Sequence, residues 1–252
     1  MNFICFDEYE KFNGGWKEKL IKRFISYFGL KYNMKNEINY VDIKNMNDEN
    51  IQKYVEELVL CSKEDDLIKS IRTDYTKSGL DKEEYNDIKV DDIISGYISN
   101  DKFIEMADIY VSKYINYKRI KKIFKGSFVS IEYKNTYADN FKILDKTQII
   151  NQDMVVEYNN KFDKYFSTEF EIYKEPSKML TADLKEFIAD FREKYKIKFD
   201  ISVKENKIYI RFFSGDMWKI NLSKEHIDKM SIYKYYVITK FAKELVEKLN
   251  IM

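Results

Sequence analysis

Histidine, proline, cysteine and glycine are all scarce in this chain. Its 252 residues include one histidine, one proline, two cysteines and seven glycines. A Ser-His-Asp or Cys-His relay would have to use His226. The setting of that residue, Asn221-Leu222-Ser223-Lys224-Glu225-His226-Ile227, reads as a capped surface turn of helix. Cys5 and Cys61 stand far apart and match no C-x-x-C pattern. With His226 they make three soft ligands, one short of a tetrahedral structural zinc site. So few thiols point to reduced cysteines and a cytoplasmic setting, at most the inner face of a membrane. Neither G-x-x-x-x-G-K-[ST] nor G-x-G-x-x-G occurs, and Gly14-Gly15 has no strand ahead of it, which disfavours a phosphate-cradling loop. The single Pro176 excludes proline-rich tails. No apolar run reaches the roughly 18 residues that a spanning helix needs. The start, Met1 to Asp7, lacks the cationic flank and long apolar core of a secretory signal. No cofactor and no metal site is expected.

Net charge is nearly absent as well. Lys and Arg number 44 against 43 Asp and Glu, a formal charge of +1. That removes the simplest argument for a dedicated nucleic-acid binder, which needs a basic excess or a strong local patch.

What is present is apolar and aromatic. Hydrophobic residues make up 44% of the chain and aromatics 16%, enough for one large domain or two small ones. Lys, Ile, Tyr, Asn and Phe dominate and share AT-rich codons, so a low-GC genome accounts for the aromatics. The periodicity predicts a helix over Trp16–Phe28, where Leu20, Ile21, Phe24, Ile25 and Phe28 form a stripe closed by Gly29. A second helix is expected over Asn50–Cys61. The acid-rich stretch Asp81–Asp92 leads into a short strand, Ile93–Ile98, and a turn at Ser99-Asn100-Asp101. Phe103–Tyr117 reads either as extended chain or as one helix. Phe124–Tyr133 and Phe166–Tyr173 read as strands. Thr181 is placed to cap a helix whose stripe is Leu184, Phe187, Ile188, Phe191 and Tyr195. Ile197–Phe212 alternates as a hairpin turning at Lys204–Lys207, and a helix over Ser231–Leu249 ends the pattern. Strands and helices come in blocks, so the class is α+β: antiparallel sheet segments with flanking helices, helical at both ends. Residues 1–80 form a mostly helical N-terminal region and 81–252 an α+β region, packed together as one unit.

Four stretches resemble an uncharacterised bacterial family, a domain of unknown function. They are Asp91–Ile98 with Phe103–Asp108, Ile123–Val129 (similar to that family's FKGxFV strand), Asn160–Phe166 with Phe170–Tyr173 and Leu180-Thr181, and the hairpin with the final helix. Members usually carry two transmembrane helices ahead of this region, and none is read here. The resemblance implies a fold and a membrane-proximal setting. It carries over no catalytic residue.

Adjacent carboxylates, Asp65-Asp66, Glu83-Glu84 and Asp91-Asp92, are read as solvated surface. The sharper charge feature is local. Lys113, Lys118, Arg119, Lys121, Lys122 and Lys125 follow one another without an acid, interleaved with Tyr114, Tyr117 and Phe124. Such a segment suits anionic lipid headgroups or a nucleic-acid backbone, unless the acids of Asp81–Asp92 neutralise it within the fold. The reading that results is a non-catalytic cytosolic interaction domain, membrane-proximal or a subunit of a protein assembly. A protein partner is expected, with an anionic membrane as a further surface. The alternative is a nucleic-acid-binding protein using the 113–125 segment, with Tyr117 as its aromatic contact.

Overall fold

The computed structural model describes residues 31–33, 66–99, 102–116, 119–133, 140–146, 160–170, 180–215 and 229–249. Among the described residues eight strands form one antiparallel sheet: β1 (Lys31–Asn33), β2 (Asp87–Ser99), β3 (Lys102–Asn116), β4 (Arg119–Tyr133), β5 (Phe141–Asp145), β6 (Phe166–Phe170), β7 (Phe199–Lys204) and β8 (Lys207–Phe212). The helices are α1 (residues 66–78), α2 (Lys161–Tyr165), α3 (Ala182–Tyr195) and α4 (Lys229–Leu249). The spatial order is β1-β2-β3-β4-β8-β7-β5-β6. The β7–β8 hairpin is therefore inserted between β4 and β5. The class is α+β.

Alternation along each strand sends apolar residues to both faces. Ile104, Met106, Val129, Ile131, Ile208 and Ile210 face one core with α3 and α4, while Ala107, Ile109, Val111, Phe128 and Tyr209 face a second core with α1. The first core is aromatic at its centre. The Phe241 ring on α4 lies 4.1 Å from Phe191 of α3 and 4.9 Å from Phe199 of β7.

Thr181 caps α3 as its sequence suggests: its Oγ1 accepts the Leu184 N–H at 3.2 Å. Lys196, at φ 56°, closes the helix in the left-handed region. Glu205, at φ 55°, makes the tight β7–β8 turn.

The structure decides one open reading and departs from others. Of the two readings of Phe103–Tyr117 the extended one holds over Lys102–Asn116, which is one long strand, and β4 begins at Arg119, five residues ahead of Phe124. Cross-strand pairing, not local preference, decides both. The acidic stretch enters the sheet at Asp87. Helix α1 and strand β5 went unforeseen. Asp92, expected at the surface, is buried at 6% exposure, with φ 51° at a break in the β2–β3 register. The helices expected over Trp16–Phe28 and Asn50–Cys61 lie outside the described residues, as do Cys5, Cys61 and His226.

Candidate functional site

The basic segment forms the end of the β3–β4 ribbon, and two irregularities sort its side chains. Register runs Tyr110↔Lys125, Val111↔Phe124, then Ser112↔Lys122, Lys113↔Lys121 and Tyr114↔Ile120. Ile123 is thus an extra residue on β4, a bulge. Opposed residues share a face and neighbours alternate. Lys113 and Lys121 consequently point to the α1 side, whereas Lys122, Lys125, Tyr114 and Ile120 point to the other. Arg119, two residues from Lys121, shares the Lys121 side. One linear run of cations becomes two cationic faces.

Like charges directly opposed are unfavourable, and the loop after α1 relieves the Lys113–Lys121 pair. Glu84 Oε2 takes Lys113 Nζ at 3.1 Å, and Glu83 Oε2 takes Lys121 Nζ. That loop is itself anchored by Asp81 on Arg211 Nη1 at 2.5 Å and by Lys82 on Glu169 at 2.9 Å. The acidic stretch therefore supplies partners to two of the predicted cations. Asn86 and Asp87 hold the ribbon at its base: Tyr114 N–H donates to Asn86 Oδ1 at 2.9 Å and Ser112 Oγ–H to Asp87 Oδ2 at 3.2 Å.

On its outer side β4 meets β8 only from Ser127 onward, so among the described strands Arg119–Gly126 has no partner but β3. The end carries apolar side chains in the open: Tyr114, Ile115 and Ile120 are 47%, 58% and 56% exposed. Arg119, Lys121 and Lys122 are exposed beside them. Tyr117 and Lys118 lie outside the described residues.

A second polar constellation, unforeseen in the sequence, lies under α1. Ser70 Oγ–H donates to Glu105 Oε2 at 2.9 Å and Ser130 Oγ–H to Asp74 Oδ2 at 2.5 Å. Lys207 Nζ meets both Asp74 oxygens, at 2.9 and 3.0 Å, and Ser202 Oγ–H donates to the Ser78 carbonyl at 2.8 Å. The helical residues 70, 74 and 78 recur every fourth position, so they form one row crossing β3, β4, β8 and β7. Burial raises the Glu105 pKa above the ordinary carboxylate value. Burial acts most strongly and would lower the Lys207 pKa, but the Asp74 hydrogen bond together with the charges of Asp74, Glu132 and Glu105 outweighs it and holds the ammonium charged. A charged lysine and a serine that donates to a carboxylate are not an activated nucleophile and its base. The row fastens α1 to the sheet. The spacing of Ser70, Asp74 and Ser78 beside Ile71 and Tyr75 was its only sequence signal.

A chain of charges continues through the sheet. Arg211 Nε donates to Asp200 Oδ2 at 2.7 Å, Asp200 Oδ1 accepts the Asp145 N–H at 2.7 Å, and Arg192 Nε of α3 donates to Asp145 Oδ2 at 2.7 Å. Every one of these groups is engaged structurally. Among the described residues no three His, Cys, Asp or Glu side chains are grouped as a metal site, and no helix is long and apolar enough to cross a membrane. No family model, curated protein or solved structure matches this chain.

Proposed function

We propose that this protein is a non-catalytic, cytoplasmic interaction module, and that it meets its partner with the end of the β3–β4 ribbon. The carrying observation is the exposure of Tyr114, Ile115 and Ile120 together, ringed by Arg119, Lys121 and Lys122. Scattered exposed apolar residues are ordinary, but exposed apolar residues gathered at one ribbon end among cations suit a contact surface. The polar groups deeper in the fold are consumed in holding α1 and α3 to the sheet, which supports a binding role over catalysis. The setting is beside a membrane or within a protein assembly.

The reading is tested by placing a photo-crosslinking residue at Ile115 and, separately, at Tyr97. Tyr97 is 64% exposed near the opposite end of the same sheet. Crosslinks formed in cells from position 115 and not from 97 are expected. Equal crosslinking from both positions, or none from 115, rejects the assignment.

A further inference from the structure

We infer that a cleft between α3 and α4, away from the ribbon, binds a small aromatic carboxylate. The two helices lie antiparallel. Phe187, in the first half of α3, meets Phe241 and Lys248 of α4, and Tyr195 at the end of α3 meets Tyr233. Between them runs an open cleft of about 270 Å³, lined by residues of these two helices alone. Phe187, Phe191 and Tyr195 recur every fourth position on α3 and share one face; with Phe241 of α4 they make an aromatic floor. Phe191 and Phe241 meet at 4.1 Å and rest in turn on Phe199 and Phe212 of the sheet, which fixes the floor in place.

The floor selects a flat apolar body of limited size. Phe187 and Tyr195 are half-buried, so their edges face the cleft. Phe187 stacks on Phe241, with planes 9° apart and centroids at 5.3 Å, and Phe191 meets Phe199 edge to face at 5.5 Å. Aromatic rings gain from such offset and edge contacts beyond the area they bury. A ring in the cleft extends that packing, which a flexible alkyl chain does not. The volume lies just under the roughly 300 to 1,000 Å³ of sites for drug-sized molecules, so the ligand has one or two rings.

The rims select an acid. Asp190 is taken by Lys161 at 2.6 Å, and the same lysine holds Glu193 at 2.5 Å. Glu244 pairs with Lys240 at 3.7 Å. At the two ends stand Lys194 and Lys248, whose ammonium groups each lie 5.2 Å from a ring centroid, those of Tyr195 and Phe187. Among the described residues neither lysine is paired with an acid. The acids of the cleft are thus matched and two of its cations are not, which suits a carboxylate on the ligand. Both lysines also sit in the last turn of their helices and complement the helix dipole. That role shows in stability and not in affinity for a ligand.

The full chain is dialysed to equilibrium against three probes: 2-naphthoate, the oppositely charged 2-naphthylmethylammonium, and octanoate. One 2-naphthoate per chain is expected to bind, several-fold more tightly than either of the others. Lys194→Ala and Lys248→Ala each weaken it about threefold to fivefold. Phe187→Leu keeps the site apolar but removes a ring; it weakens 2-naphthoate about twofold to tenfold and leaves octanoate unchanged. Glu244→Gln releases Lys240 from its acid and strengthens 2-naphthoate binding. Urea midpoints are measured for every variant, and losses of affinity that merely follow losses of stability overturn the inference. So do an absence of 2-naphthoate binding, equal binding of the ammonium probe or of octanoate, or indifference to both lysine substitutions.

Discussion

At Gly126 the missing side chain is a steric requirement. A Cβ built there would lie 2.0 Å from the Phe212 carbonyl oxygen and 3.1 Å from the Phe124 ring. The nearest obstacle is backbone, which cannot rotate away as a side chain would. Gly126→Ala is therefore expected to force β8 from β4 and cost about 1 to 3 kcal/mol, read as a lowered urea midpoint. Asp81 and Tyr75 show a different kind of residue-scale constraint. Tyr75 Oη and Asp81 Oδ2 are buried without a hydrogen-bond partner, and burial followed by the nearby Asp81 charge pushes the Tyr75 hydroxyl far above its ordinary pKa. The aromatic cluster of Tyr75 with Phe124 and Phe128, at 5.9 and 5.2 Å, keeps the ring in place.

Among the elements, α1 is fastened by polar contacts and α3 and α4 by aromatic ones. That difference gives a pH signature. The Glu105 carboxyl, raised by burial in the folded state, holds its proton there to a higher pH than in the unfolded chain. The folded state thus binds more protons in the window above about pH 4, and stability falls as pH rises through that window to the raised folded value. Glu105→Gln keeps an acceptor for Ser70 and removes the titration. The urea midpoint of the wild type relative to Glu105→Gln is expected to decline as pH rises above about pH 4, the ordinary carboxylate range; a constant difference refutes the assignment. The elements also show what a linear reading captures. Helix α3 was legible because Thr181, Leu184, Ile188 and Phe191 state cap and stripe within one segment. Strand β3 was legible only as one of two readings, because Lys102–Asn116 carries Glu105 and Asp108 on a strand whose two faces both pack. Glu105 owes its place to Ser70, and Asp108 to Ser127 at 2.6 Å; both partners are distant in sequence. Helix α1 hid for the same reason, its Ser70-Asp74-Ser78 row looking like a solvated face.

For the molecule as a whole, the sheet is the shared wall between two cores. Phe241 joins α4 to α3 and to β7 and β8. Phe241→Ala is expected to cost about 3 to 5 kcal/mol, a large part of the 5 to 15 kcal/mol typical of a domain. Because the charge chain from Asp81 to Arg192 passes through the sheet, the loss should not stay local. Amides of α1 are expected to lose hydrogen-exchange protection along with those of α4; protection kept in α1 alone would show independently stable layers. The site was half legible at this scale. The cations were visible as a run, but their division between two faces depends on one extra residue, Ile123, and their pairing on a loop 29 to 38 residues away. The same bulge and lysines also govern how copies of the protein meet one another. An open strand edge is a template for a second copy, yet antiparallel contact here would set Arg119, Lys121 and Lys122 against their own kind across a kinked backbone. The protein can thus hold out a ribbon edge that no described strand covers, at high concentration, without polymerising through it.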